Sequence, residues 1–368
     1  MPKRISRRRC LEGIKPYVPG KPVEELEREL GITNAVKLAS NENALGPSPL
    51  AVEALRKALS EVNYYPDANC YYLRQALAEK LNLDPEQFIF ANGSDESLKL
   101  IAETYINPGE EGVIADPTFS EYEFVLRIMD GIPRKVPMRP DFSHDLEAML
   151  AAVNERTRLV FLCSPNNPTG TIIKRRELER FLDRLPAGVL VVIDEAYYEY
   201  VSEPDYFDSL NYLQQYPVIT LRTFSKIYGL AGLRLGYAVA AKEIIADINR
   251  VCEPFNVNHL AQKAALAALK DEAYLQKSRQ MIAEGREQLA AGFSAQGLSF
   301  VPTQANFFFV DLGHDSQEVF QELLQRGVII RTGDIFGYPS YARITIGTKA
   351  ENERLLCELE AVLKELQS

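Results

Sequence analysis

Residues 223–234 read T-F-S-K-I-Y-G-L-A-G-L-R. Two hydroxyls, Thr223 and Ser225, precede an amine, Lys226, and a guanidinium, Arg234, follows eight residues later. The lysine comes just after the apolar run V-I-T-L-R (218–222). It is either a solvated turn residue or a nucleophile with a binding site around it. A buried amine can form a Schiff base with a carbonyl, and a guanidinium matches the oxygens of a phosphate.

Four other apolar runs also end in polar residues. F-I-F-A (88–91) leads into N-G-S-D-E, where Ser94 and Asp95 open a helical pattern. Free N–H groups and the helix dipole make such a start an anion site, although an ordinary N-cap reads the same way. G-V-I-A (112–115) leads into D-P-T-F-S-E-Y, with Phe119 either lying over a ligand or packing on the core. L-V-F-L-C (159–163) leads into S-P-N-N-P-T-G, a rigid turn that holds Asn166 and Asn167 between prolines. V-L-V-V-I (189–193) leads into Asp194, with Tyr197 three residues on. A carboxylate at the end of a buried strand must be hydrogen-bonded or paired, with a structural arginine or with a protonated ring nitrogen. One ligand uses all five sets. Pyridoxal 5′-phosphate offers a phosphate, a ring that stacks, a pyridine nitrogen that must stay protonated, a phenolic oxygen and an aldehyde.

The elements that must position these groups follow from periodicity. Short apolar strand runs alternate with amphipathic stretches at 95–105, 120–129, 145–153 and 175–185. That alternation predicts a mostly parallel sheet flanked by helices, an α/β fold, with ligands bound beyond the carboxyl ends of the strands. Helical periodicity is also expected over 48–60 and 70–81. The interval from 222 to 235 is short for a parallel crossover, so L-G-Y-A-V-A (235–240) is expected to run antiparallel. From about 241 the pattern changes to helices over 242–252 and 257–292, strands over 307–312, 327–331 and 342–347, and a helix over 350–366. The expected organisation is a large domain over 49–241 and a smaller α+β domain over 242–368, joined by the irregular arm 1–48.

The chain has 368 residues, 46% of them hydrophobic and 25% charged, which suits a globular protein with a sizeable core. A net charge of −10 argues against a general nucleic-acid surface. The basic run Lys3–Arg9 reads as a solvated arm. It lacks the apolar core of a secretion signal, and no apolar stretch long enough to span a membrane follows. Five scattered cysteines form no C-x-x-C pair, so a reduced cytoplasm is expected. The three histidines, 144, 259 and 314, suggest no metal site. A nucleotide-binding oxidoreductase is disfavoured because G-x-G-x-x-G is missing after the first strand run.

The chain resembles the fold-type I pyridoxal-phosphate aminotransferases, and among them the histidinol-phosphate aminotransferase family, over almost its whole length. P-Y-V-P-G-K-P (16–22), N-E-N (41–43), Y-P (65–66), G-S-D-E (93–96), N-N-P-T-G (166–170), D-E-A-Y (194–197), T-F-S-K (223–226), G-L-R-L-G (232–236), A-N-F (305–307) and R-I-T-I-G-T (343–348) carry the resemblance. N-P-T-G, D-x-A-Y and S-K-x(7)-R are shared by many aminotransferases. P-Y-x-P-G-K-P and G-x-D-E are narrower.

The resemblance implies roles. Lys226 would bind the cofactor aldehyde and shuttle a proton, and Asp194 would pair with the pyridinium. Tyr197 and Asn167 would bond the phenolic oxygen, and Phe119 would stack on the ring. Backbone at Ser94 and Asp95, with Ser225 and Arg234, would hold the phosphate. Tyr65 would reach the phosphate of a neighbouring subunit, which implies a homodimer with shared sites. Arg343 and Arg331 would hold the phosphate arm of the substrate, and Tyr17 and Asn43 would close over it. The implied reaction moves an amino group between L-histidinol phosphate and 2-oxoglutarate in histidine biosynthesis. An aromatic amino-acid aminotransferase is the nearest alternative, since 18 Tyr and 17 Phe make aromatic linings easy to build. A threonine-phosphate decarboxylase is a more distant one.

Overall fold

A computed structural model describes residues 5–14, 16 and 20–367. Among them a seven-stranded sheet runs in the order 88–91, 236–240, 218–223, 190–194, 157–163, 111–116, 132–137. Its strands are parallel except Gly236–Ala240, which is antiparallel to both neighbours. Only a loop with one 3-10 turn, Ala231–Leu233, joins that strand to Val218–Thr223. A parallel return would need a crossover of a dozen or more residues. The central strands are mostly apolar because both faces are covered. Val191 and Ile193 pack on one side, and Val192 and Leu221 on the other. The helices Gly93–Tyr105, Ser120–Ile128, Leu146–Ala152 and Arg175–Arg184 lie where amphipathic periodicity predicts them.

The outermost strand, Ile132–Pro137, was not among the expected ones. It reads I-P-R-K-V-P, and four of its six residues are exposed. A strand at the edge is paired on one side only, so it tolerates prolines and charges and lacks an apolar run.

A second, antiparallel sheet has the order 331–332, 341–345, 307–311, 299–301. Here G-V-I-I-R does not form one strand. Val328–Ile329 pairs in parallel with Val36–Lys37, and Arg331–Thr332 pairs with Tyr341–Thr345. The first pairing joins the N-terminal segment to this region. The helical stretch expected over 257–292 is two helices, His259–Ala268 and Glu272–Ala295. Asp271 separates them: one carboxylate oxygen accepts from Tyr274 N, and the other accepts from the Ser48 hydroxyl at 2.6 Å. That is N-cap chemistry, which the apolar periodicity alone does not reveal. One apolar cluster runs without a break from Phe88 and Val191 of the large sheet to Phe307, Ile344 and Leu359.

Behind the strand ends lies a buried ion network. Arg222, 4% exposed, donates through Nε to Glu195 at 2.8 Å and through an Nη to Asp208 at 2.9 Å. Its guanidinium carbon stands 3.9 Å from the centre of the Tyr198 ring. Arg222 and Glu195 are the immediate neighbours of Thr223 and Asp194, so the network ties down the two strand ends that carry site residues. Removing one partner strands a buried charge. Arg222→Met is expected to lower unfolding free energy in urea by about 3 kcal/mol. A loss below about 1 kcal/mol would show that Glu195 finds another partner.

Candidate active site

The carboxyl ends of the central strands open into a cavity of ≈ 380 Å³. Its walls come from the loop after each strand and from residues 40–42.

At one end stands the helix Gly93–Tyr105. Its N-cap residue, Asn92, makes no side-chain cap, so no side chain there competes for the N–H groups of the first turn. Arg234, in the left-handed region at φ 54°, lays its guanidinium against Gly93 and bonds Asp95 at 3.0 Å. A Cβ on Gly93 would meet an Nη of Arg234 at 2.8 Å. A Cβ on Gly236 would stand 2.8 Å from the Gly93 carbonyl carbon and the Ser94 nitrogen. These glycines let an arginine and a strand press against the helix start, which makes a cup lined by backbone donors and a guanidinium. Ser225 joins the wall, its backbone N–H donating to the Thr223 hydroxyl at 3.0 Å.

In the middle, Lys226 Nζ donates to the Ser40 carbonyl at 3.4 Å. Burial, and then the Arg343 charge, lower its pKa from 10.5 to about 8. Asp194 is 3% exposed and accepts from the Tyr122 hydroxyl at 2.8 Å and from Ala196 N at 3.0 Å. Burial raises its pKa to about 6, against the lowering effect of those two bonds. Phe119 lines the cavity and meets Tyr122 edge-on at 5.6 Å.

At the far end Arg343, on the strand Tyr341–Thr345, donates to Asn167 Oδ1 at 2.7 Å and to the Ala39 carbonyl at 2.6 Å. Its guanidinium carbon lies 5.6 Å from the Phe307 ring centre and 5.8 Å from that of Phe336. The Tyr197 hydroxyl accepts from Asn41 Nδ2 at 3.0 Å. Arg331 stands directly opposite Arg343 across the antiparallel pair, so both side chains leave the same face of the sheet.

Ten of the sequence-predicted residues therefore line one cavity: Ser94, Asp95, Phe119, Asn167, Asp194, Tyr197, Ser225, Lys226, Arg234 and Arg343. Arg331, although opposite Arg343 in the strand pair, is not among the residues that line the cavity. Asn43 is not either. Its Nδ2 donates to the Ile227 carbonyl and to Ser278 Oγ, both at 2.9 Å, so it anchors the lysine loop from behind. Tyr65 is 81% exposed and stacks on Phe255 at 4.8 Å, away from this chain's cavity. Tyr17 lies outside the described residues. Three contributors escaped the sequence reading. Tyr122 binds Asp194 from one helical turn after Phe119, Asn41 binds Tyr197 from within N-E-N, and Ser40 binds Lys226 through backbone. A polar residue one turn after a site residue was a usable signal for Tyr122. Nothing in residue type marks a carbonyl.

The donor set fits a phosphorylated pyridine aldehyde. A cup of N–H groups and a guanidinium stands at one end, and an amine of depressed pKa lies in the same cavity. The desolvated carboxylate accepts only neutral donors, which suits a cationic ring nitrogen.

Comparison with known proteins agrees. The family model "Aminotransferase class I and II" matches residues 33–359. The histidinol-phosphate aminotransferase of Moorella thermoacetica is 59% identical over 97% of this chain and 92% of its own length. That of Caldicellulosiruptor saccharolyticus is 46% identical over 97% and 99%. The crystal structure of the Sinorhizobium meliloti histidinol-phosphate aminotransferase in complex with pyridoxal-5′-phosphate superposes with a TM-score of 0.91 at 30% identity, covering 99% of each chain.

The depressed Lys226 pKa has a measurable consequence. Only the unprotonated amine attacks an aldehyde, and the ammonium form dominates below about 8. Covalent capture of added pyridoxal 5′-phosphate by the apoprotein should quicken by about tenfold per pH unit up to that point and level off above it. Stopped-flow absorbance reads the rate. A plateau that begins only near the ordinary lysine value would contradict the burial of Nζ.

Proposed function

The chain belongs to the class I and II aminotransferases, and from that premise we propose that it moves an amino group between L-histidinol phosphate and 2-oxoglutarate. In the biosynthetic direction the substrates are imidazole acetol phosphate and glutamate. The observation that carries this substrate is the cross-strand pairing of Arg331 with Arg343. A phosphate ester, with its greater negative charge, uses two cations, whereas an α-carboxylate is satisfied by one.

The cofactor is pyridoxal 5′-phosphate, which when bound supplies an aldehyde carbon for the amino group and an electron-poor ring for the electron pair released at the substrate α-carbon. Backbone at Ser94 and Asp95, with Ser225 and Arg234, binds its phosphate. Asp194 keeps the proton on the ring nitrogen. Tyr197 and Asn167 orient the phenolic oxygen, and Phe119 covers one ring face. Lys226 Nζ takes the proton from the substrate α-carbon, and its depressed pKa leaves a share of free amine near neutral pH. Arg343, held by Asn167 and the Ala39 carbonyl, and Arg331 receive the phosphate arm. Tyr17 completes the set that the resemblance assigns to the substrate, whereas Asn43, bound to the Ile227 carbonyl and Ser278, supports the lysine loop.

The proposal extends to assembly and organisation. An exposed apolar and aromatic run, with Leu59 at 56%, Val62 at 60%, Tyr64 at 72% and Tyr72 at 70%, supports a homodimer in which Tyr65 reaches the neighbouring site. Residues 49–241 form the cofactor domain, and residues 1–48 with 242–368 form the smaller one. Free cysteines at all five positions support a reducing cytoplasm. Among the described residues no helix is long and apolar enough to cross a membrane.

Lys226→Ala is expected to lose turnover entirely while the protein stays folded. Arg331→Gln should raise KM for histidinol phosphate by about tenfold and leave that for phenylalanine little changed. A panel of histidinol phosphate, phenylalanine, tyrosine and threonine phosphate decides the substrate. Faster turnover of the aromatic amino acids would overturn the proposal in favour of an aromatic aminotransferase, and release of carbon dioxide from threonine phosphate would point to the decarboxylase.

A further inference from the structure

The last residue of G-S-D-E has no role in the reaction so far described, yet Glu96 is the hub of a closed hydrogen-bond ring. Its Oε2 accepts from Asn92 N at 2.6 Å, from Asn92 Nδ2 at 3.2 Å and from Asn256 Nδ2 at 2.9 Å. Asn92 Nδ2 also donates to the Asn256 carbonyl at 2.7 Å, and Asn256 Nδ2 donates to the Phe90 carbonyl at 2.9 Å. Three segments thereby meet at one carboxylate: the end of the strand Phe88–Ala91, the start of the helix Gly93–Tyr105, and the loop before the helix His259–Ala268.

Two features give the ring a purpose. A usual N-cap side chain would accept from the first-turn N–H groups. Here Glu96 reaches back to Asn92 N instead, and no side chain of Asn92 caps the turn. The turn is held from behind while its N–H groups are left facing the cup. Next to Asn256, Phe255 sits at φ 59°, a conformation costly for a bulky residue that persists only when its surroundings impose it. Asn256 is bound on both sides by the ring, and Phe255 carries the stack with Tyr65.

We infer that Glu96 is a positioning residue for the cofactor phosphate, holding the first turn of the helix in place and tying it to the loop that supports Tyr65. This rests on the reading that the turn binds that phosphate. Apoprotein is titrated with pyridoxal 5′-phosphate and, separately, with pyridoxal, which lacks the phosphate. Glu96→Ala should raise Kd for the phosphorylated compound by about tenfold and leave that for pyridoxal nearly unchanged. Glu96→Gln keeps an acceptor oxygen and should recover most of the affinity. Asn256→Ala, which opens the ring from the loop side, should show the same phosphate-specific loss at smaller size, and it serves as the test if Glu96→Ala fails to fold. Equal losses for both compounds, no loss for either, or a Gln variant as weak as the Ala variant would overturn the inference. If the unmodified protein binds both compounds alike, the phosphate reading of the turn itself fails, and the role of Glu96 with it.

Discussion

The desolvation of a few charges at the ends of parallel strands governs this molecule. Asp194 follows a run of buried aliphatic residues, and its carboxyl is held by neutral donors from Tyr122 and Ala196. Water would stabilise that charge cheaply, and an apolar interior does not. The surroundings are therefore arranged for it. Tyr122 is fully buried and stacks on Phe161 at 5.1 Å, which fixes the hydroxyl that reaches Asp194. The same desolvation leaves Lys226 with a weakened hold on its proton. Acid and base in this cavity are thus displaced from their ordinary values in opposite directions by one cause.

The supporting layers follow from that constraint. Arg222 pairs with both Glu195 and Asp208 just behind the site, so the strand ends there hold their charges among themselves and not in the cavity. Asn43 and Ser278 brace the lysine loop, and Asn41 links Tyr197 to Thr345 on the other sheet, its side-chain oxygen accepting from that hydroxyl at 3.1 Å. Residues 40–43 bridge the loops beyond the large sheet and Thr345 of the second sheet, which is why a short irregular segment contributes so much to the cavity wall.

Much of this was legible in the sequence. Apolar runs ending in polar residues marked the strand ends, and five such endings named most of the cavity lining. What was not legible has identifiable causes. The strand Ile132–Pro137 has an edge composition that resembles a loop. The break at Asp271 is a capping event inside a continuous apolar pattern. G-V-I-I-R divides because Val328–Ile329 and Arg331–Thr332 find different partners, a tertiary outcome that local periodicity does not encode. Asn43 was read as facing the substrate because of its motif. Asn41, two positions earlier, faces the site instead: residues two apart share a face only in an extended segment, and Asn41 sits in the left-handed region at φ 57°, which breaks that relation.

The edge strand Ile132–Pro137 also bears on which contacts with other chains the sheet permits. An exposed strand edge invites another strand to add to the sheet by backbone pairing. Here Pro133 and Pro137 lack the N–H that such pairing needs, Arg134 turns back to Glu111, and Lys135 is engaged by Glu123. The sheet is closed to extension on that side. On that side any contact with another chain is left to side chains, where a mismatched surface fails to fit, and not to the backbone, where any strand would do.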